Sequence, residues 1–153
     1  MDNRRRSFIA VAGGAGALAA AGLLKPGRAD AATWNKQGFD AKAYPDAVKS
    51  LGASNLIDSK DIAITAPDIA ENGAVVPVAI TSKIPNTQAI SIVAEKNPFP
   101  LVATFDVSPA MEPYASLRLK LGQTSNVRAI VKTADGKFYT TAKEVKVTVG
   151  GCG

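Results

Sequence analysis

The chain has 153 residues, 46% hydrophobic and 20% charged, a balance that fits one globular domain with one core and excludes a disordered or membrane-embedded protein. Its net charge of +5 raises nucleic-acid binding, but part of that charge lies in a segment expected to be removed. No histidine occurs and there is one cysteine, Cys152, so triads or dyads with an imidazole base, and zinc, haem or iron–sulfur sites built from these residues, are excluded.

The first 31 residues, "MDNRRRSFIAVAGGAGALAAAGLLKPGRADA", have the parts of an export signal. Arg5-Arg6-Ser7-Phe8-Ile9 fits the twin-arginine pattern, the apolar stretch from Phe8 to Leu24 is diluted by Ala and Gly, and Ala29-Asp30-Ala31 has the small-residue form of a cleavage site. That dilution makes a poor membrane span. Cleavage after Ala31 is expected, with delivery to the periplasm by the twin-arginine route. It takes away five of the 18 basic and two of the 13 acidic side chains, leaving a mature net charge of +2. Nucleic-acid binding then loses its main support, since no basic run with interleaved aromatics remains. The route carries folded cargo, and a second subunit without its own signal, exported as part of a complex, would explain its use by a chain with no cofactor ligands.

The next segment, 32–58, is expected to be helical. In "NKQGFDAKAYPDAVKSL" (35–51), Phe39, Ala43, Ala47 or Val48, and Leu51 recur at helical spacing, which predicts a short amphipathic helix interrupted or started afresh near Pro45.

From Ser59 to Val149 the period changes to two. "DIAITA" (61–66), "AVVPVAITSKI" (74–84), "QAISIVAEKN" (88–97), "LVATFDVS" (101–108), "ASLRLKLG" (115–122), "NVRAIVKTA" (126–134) and "KFYTTAKEVKVTV" (137–149) read as strands. Asp135-Gly136 marks a tight turn before the last of them. About seven short strands predict an all-β fold, an immunoglobulin-like antiparallel β-sandwich, with a small closed barrel as the alternative. Pro77 places its strand at an edge or a bulge, because proline cannot donate to the ladder. Pro98 and Pro100 around Phe99 read as a rigid corner between strands.

Little chemistry is available inside that domain. No phosphate-binding or dinucleotide-binding glycine motif occurs. Asp58, Asp61, Asp68 and Glu71 cluster loosely in sequence but match no calcium loop and read as solvated turns. Lys143 and Lys146 read as a wet strand face; beside Cys152 they would favour its thiolate and any anion attached to it.

The chain closes on Gly150-Gly151-Cys152-Gly153. Glycines at 150 and 151 would give a hinge, and three extended residues reach roughly 10 Å from the sandwich, enough to carry a sulfur atom into a narrow channel. An odd cysteine in an oxidising compartment points to a reactive thiol or to an intermolecular disulfide. A frayed terminus with an incidental cysteine is the plain alternative. One residue follows Cys152, which excludes a prenylation signal.

Taken with the signal, the short helix and the strands, the terminal "VKVTVGGCG" resembles the SoxY family, the sulfur-carrier subunits of the bacterial thiosulfate-oxidising Sox system. "NGAVVPVAI" (72–80), "AEKNPFPLVATF" (94–105) and "DGKFYTTAKEVKVTVGGCG" (135–153) are similar to that family as well. One glycine follows the cysteine here, where the family commonly shows two. The resemblance implies a non-catalytic carrier without a cofactor of its own, with Cys152 as the covalent attachment site and Gly150, Gly151 and Gly153 as a flexible, swinging arm. It further implies a heterodimer with SoxZ and transient visits from three enzymes. A c-type cytochrome enzyme, SoxAX, joins thiosulfate to the cysteine as an S-thiosulfonate. A di-manganese hydrolase, SoxB, releases sulfate. A molybdenum–haem sulfane dehydrogenase, SoxCD, acts where present. A secreted immunoglobulin-like binding module and a disulfide-linked structural subunit are the competing readings of the residues.

Overall fold

The computed structural model describes residues 34–150, and the expected export signal lies outside them. Asn35 caps α1 (Lys36–Asp40) by accepting from the Gly38 N–H at 3.0 Å. Trp34, just before the cap, stacks on Phe39 one turn later with ring centroids 4.3 Å apart, an aromatic version of the hydrophobic staple that fixes how a chain enters a helix. The chain turns extended at Ala41 and a second helix, α2 (Tyr44–Ser50), begins with Pro45 in its first turn. A continuous helix would press the Pro45 ring against the carbonyl four residues back, whereas in a first turn the missing N–H has no partner to lose. The predicted interruption near Pro45 is thus a break into two helices.

Nine strands follow: β1 (Leu56–Asp58), β2 (Ile62–Thr65), β3 (Ile69–Ala70), β4 (Val76–Ser82), β5 (Thr87–Ala94), β6 (Leu101–Asp106), β7 (Tyr114–Leu119), β8 (Ser125–Thr133) and β9 (Phe138–Val147). They form a six-stranded sheet in the order β1-β9-β8-β5-β6, with β3 also paired to β9, and a three-stranded sheet in the order β2-β4-β7. The fold is an immunoglobulin-like β-sandwich, and the closed-barrel alternative falls away because the strands divide into two sheets. The seven expected strands correspond to β2 and β4 to β9. The two additions, β1 and β3, pair with β9 in parallel, Leu56 opposite Phe138 and Ile69 opposite Lys146. Strand β1 falls inside the span 32–58 that reads as helical in the sequence.

Alternation fills the space between the sheets. Val76, Val78 and Ile80 from β4, Ile90 and Ile92 from β5, Leu119 from β7, Val127, Ala129 and Val131 from β8, and Val145 from β9 are buried together there. Residues that point the other way from the larger sheet, Val93, Leu101, Ile130 and Phe138, make a second cluster with Ala47, Val48 and Ala53. The helical segment therefore covers the outer face of the larger sheet. Gly38 allows this close packing, since a Cβ there would meet Ser50 Oγ, would lie 2.8 Å from Asn35 Nδ2 and 2.9 Å from Leu101 Cδ2.

Pro77 sits in β4, the middle strand of the smaller sheet, yet its position is open on one side. The β2 register along β4 ends at Thr65 opposite Ala79, so at Pro77 the strand has a neighbour in β7 alone. The expected edge is local to that residue. The corner at Pro98-Phe99-Pro100 is the turn between β5 and β6, closed by the Ala94 N–H on Pro100 O at 2.8 Å.

Candidate functional site

The last strand carries the chain to the predicted arm, and its inward valines hold it there. Val145 is completely buried, Val147 partly so, and Lys146 between them is exposed. The ladder between β8 and β9 ends where Ser125 pairs with Val145. Two alternative partners take over beyond it. The Val147 N–H donates to Thr124 Oγ1 at 3.0 Å, and the Lys146 N–H to Asp68 O at 2.9 Å.

Past the strand the backbone stays hydrogen-bonded for two more residues. The Thr148 N–H donates to Ala70 O at 3.1 Å, and its hydroxyl donates to Glu71 O at 3.1 Å. The Gly73 N–H donates to Val149 O at 2.8 Å, and Gly73 O in turn accepts from the Leu121 N–H at 2.7 Å. Gly150 rests against the Gly122 carbonyl so closely that a Cβ at position 150 would collide with that oxygen. Gly122 belongs to the connection between β7 and β8, whose shape is held from the β5–β6 turn. Asn97 Nδ2 donates to Lys120 O at 2.7 Å and Asn97 Oδ1 accepts from the Gly122 N–H at 3.4 Å. Gln123 Nε2 donates to Lys96 O at 3.3 Å, a second link between the same two loops.

Of the residues proposed from sequence for the arm, Gly150 is at this root, and Gly151, Cys152 and Gly153 lie outside the described residues. Lys143 is not part of a uniformly wet face: its Nζ donates to Ala66 O at 2.6 Å and pairs with Asp68 Oδ1 at 3.0 Å, tying β9 to the loop between β2 and β3. Among the described residues no three His, Cys, Asp or Glu side chains converge as metal ligands, and Asp68 faces Lys143. Gly73, Asn97, Gly122 and Thr124 escaped the sequence reading. A side-chain amide that bridges to a loop 23 residues away leaves no periodic mark, and Asn97 stood in the sequence merely as the residue before a proline corner.

An open groove of about 700 Å³ lies at the other end of the sandwich, between the β4–β5 and β6–β7 loops, where Ile84, Pro85, Val107 and Met111 contribute to its walls. It is separated from the arm root by the length of the strands and contains none of the predicted site residues.

Comparison with known proteins bears on this end of the molecule. The family model described as "Sulfur oxidation protein SoxY" matches residues 47–152, a span that runs through β9, the root and Cys152. Among solved structures the chain is similar to the sulfur carrier protein SoxY from Chlorobium limicola f thiosulfatophilum, with 43% identity and a TM-score of 0.61 over 67% of this chain and 92% of that one. It is also similar to a superoxide reductase (neelaredoxin) from Ignicoccus hospitalis, at 23% identity and a TM-score of 0.50 over 56% of this chain and 79% of that one, a likeness of fold alone. No curated protein matches.

Proposed function

Because the chain belongs to the SoxY family of sulfur oxidation proteins, we propose that it is a carrier on which thiosulfate-derived sulfur is held covalently at Cys152 while partner enzymes act on it. The observation that carries this reading is a coincidence of ends. The family match continues to residue 152, the described body is hydrogen-bonded as far as Val149, and the chain's one thiol stands three residues beyond. Residues 150–153 serve as the arm in this reading, with Gly150 at its root, and the glycines at 150, 151 and 153 keep its outline narrow enough for an active-site channel.

In the loading step the Cys152 thiolate and the sulfane sulfur of thiosulfate form an S–S bond, and the two electrons released go to a c-type cytochrome partner of the SoxAX kind. In the release step water attacks the terminal sulfone sulfur. The bond between that sulfur and the sulfane sulfur breaks, sulfate and two protons leave, and the electron pair stays on the sulfur attached to Cys152 as a persulfide anion. A SoxB-type hydrolase catalyses that release, and where a SoxCD-type dehydrogenase is present it oxidises the persulfide for another round. This chain supplies attachment and presentation and no catalytic group. We place it in the periplasm after twin-arginine export and removal of residues 1–31, in complex with SoxZ.

Intact-protein mass spectrometry of the periplasmic protein from cells given thiosulfate, before and after a thiol reductant, tests the reading. Additions of sulfur, sulfite or thiosulfate mass that map to the peptide containing Cys152 and vanish on reduction are expected. A thiol that stays unmodified, or that appears solely as a crosslinked dimer, would move the assignment to a binding module or a disulfide-linked subunit.

A further inference from the structure

We infer that Gly122 and Asn97 are positioning residues for Cys152, forming the seat that sets where the chain leaves the sandwich and in which direction; the inference builds on the carrier reading above. Once the β8 ladder has ended at Val145, the backbone is gripped from two sides. Ala70 at the end of β3 and Gly73 just beyond it hold Thr148 and Val149, through Ala70 O at 3.1 Å and the Gly73 N–H at 2.8 Å. The β7–β8 connection lies against Gly150, where Gly122 O leaves no room for a Cβ and so admits glycine.

A carbonyl in a free loop would give way to such a contact, but this one is braced. The Asn97 amide spans the connection as a backbone unit would, donating to Lys120 O and accepting from the Gly122 N–H, so both ends of its dipole are used on the segment that carries Gly150. Leu121, between those two partners, is completely buried and pins the segment to the core. Core packing does not require the brace, because Leu121 already supplies the apolar anchor while Asn97 and Gly122 remain half-exposed. What the brace adds is a defined exit. Two residues lead from Gly150 to Cys152, at most roughly 7 Å of extended backbone, so the position of the root bounds how far from the sandwich the thiol can reach.

Backbone 15N relaxation and a loading assay test this together. In the wild-type protein the order parameters of Thr148, Val149 and Gly150 are expected to match rigid backbone, about 0.85. They are expected to fall in Asn97→Ala and in Gly150→Ala. Loading of Cys152 with thiosulfate by the partner cytochrome enzyme is expected to drop roughly tenfold or more in both variants, since an ångström of misplacement can cost on the order of 100-fold. Reaction of the same thiol with a small aromatic disulfide should stay within about twofold, because a small reagent needs no aiming. Low order parameters at Thr148 to Gly150 in the wild type, or wild-type loading rates in both variants, would overturn the inference. If Gly150→Ala fails to fold, Asn97→Ala decides alone, since it leaves the arm untouched. A wild-type protein that never accepts thiosulfate would fail the carrier reading, while the relaxation data still judge the seat.

Discussion

Arg128 Nε donates to Glu95 Oε1 at 2.7 Å on the outer face of the larger sheet, and the same guanidinium stands 5.5 Å from the centre of the Tyr44 ring. Its Nη1 also donates to Thr140 Oγ1 at 3.3 Å, while Asn126 Nδ2 occupies the other Glu95 oxygen at 3.0 Å. Strands β8 and β9, the β5–β6 turn and helix α2 are thereby tied at one half-buried point. Burial raises the Tyr44 phenol above its ordinary value, against the opposing pull of the Arg128 charge.

Replacing Arg128 with Ala should therefore destabilise the fold by roughly 2 kcal/mol, the usual scale for charge-assisted hydrogen bonds with a cation–π contact beside them. Urea denaturation followed by far-UV circular dichroism measures it. A double-mutant cycle with Glu95→Gln should give a coupling above about 0.5 kcal/mol. A coupling near zero would mean that the pair is spectator geometry.

Gly38→Ala should reverse the usual sign for a helix interior. Alanine ordinarily stabilises such a site by about 1 kcal/mol. Here the added methyl meets Ser50 Oγ, which itself donates to Ala47 O at 2.6 Å, and it crowds Asn35 and Leu101. Overpacking of this kind costs about 1–3 kcal/mol, so a lowered thermal midpoint is expected. Adding Ser50→Ala should recover part of the loss, and a stabilised single variant would contradict the packing described.

Asp135 lies in the tight turn between β8 and β9, where Gly136 adopts a φ of +79°. Its carboxyl pKa is lowered to about 2, chiefly by the hydrogen bond from Lys137, with a second from Thr133. A carboxylate depressed on folding adds stability that is present above its unfolded value near 3.8 and is lost as pH falls toward 2. Asp135→Asn should flatten the thermal midpoint against pH between about 4 and 2, lowering it near pH 7 and leaving it little changed near pH 2. Lys137, whose pKa is raised mainly by the same hydrogen bond, loses its complementary contribution above pH 10.5. A 13C titration placing the Asp135 carboxyl near 3.8 would refute the turn geometry.

Cys152→Ser should abolish thiosulfate-dependent electron transfer to the partner cytochrome while circular dichroism and thermal midpoint stay unchanged. Retained turnover would end the carrier assignment.

The long strands were legible because burial on one face imposes a period of two: Val76, Val78 and Ile80 sit in the core with Pro77 exposed and Ala79 half-buried between them. Strands β1 and β3 were not, since three residues and two residues are too short to show a period and exist as strands because β9 offers them an edge. Pro45 announced the break between the helices through its own covalent geometry. Cys152 was conspicuous by isolation, whereas the surroundings of Gly150 were invisible. Asn97 and Gly122 matter through a contact between two loops, and that contact exists once the sandwich has brought the loops together.

The parallel pairing of β1 and β3 with β9 places the last strand between neighbours on both sides, with β8 along the other edge. Tension applied along the strand axis at the C-terminal end of β9 then runs along β9 and loads hydrogen bonds that lie across the pull. They share the force in shear and do not open one after another like a zipper. A strand paired on both sides in this way resists being peeled from its C-terminal end.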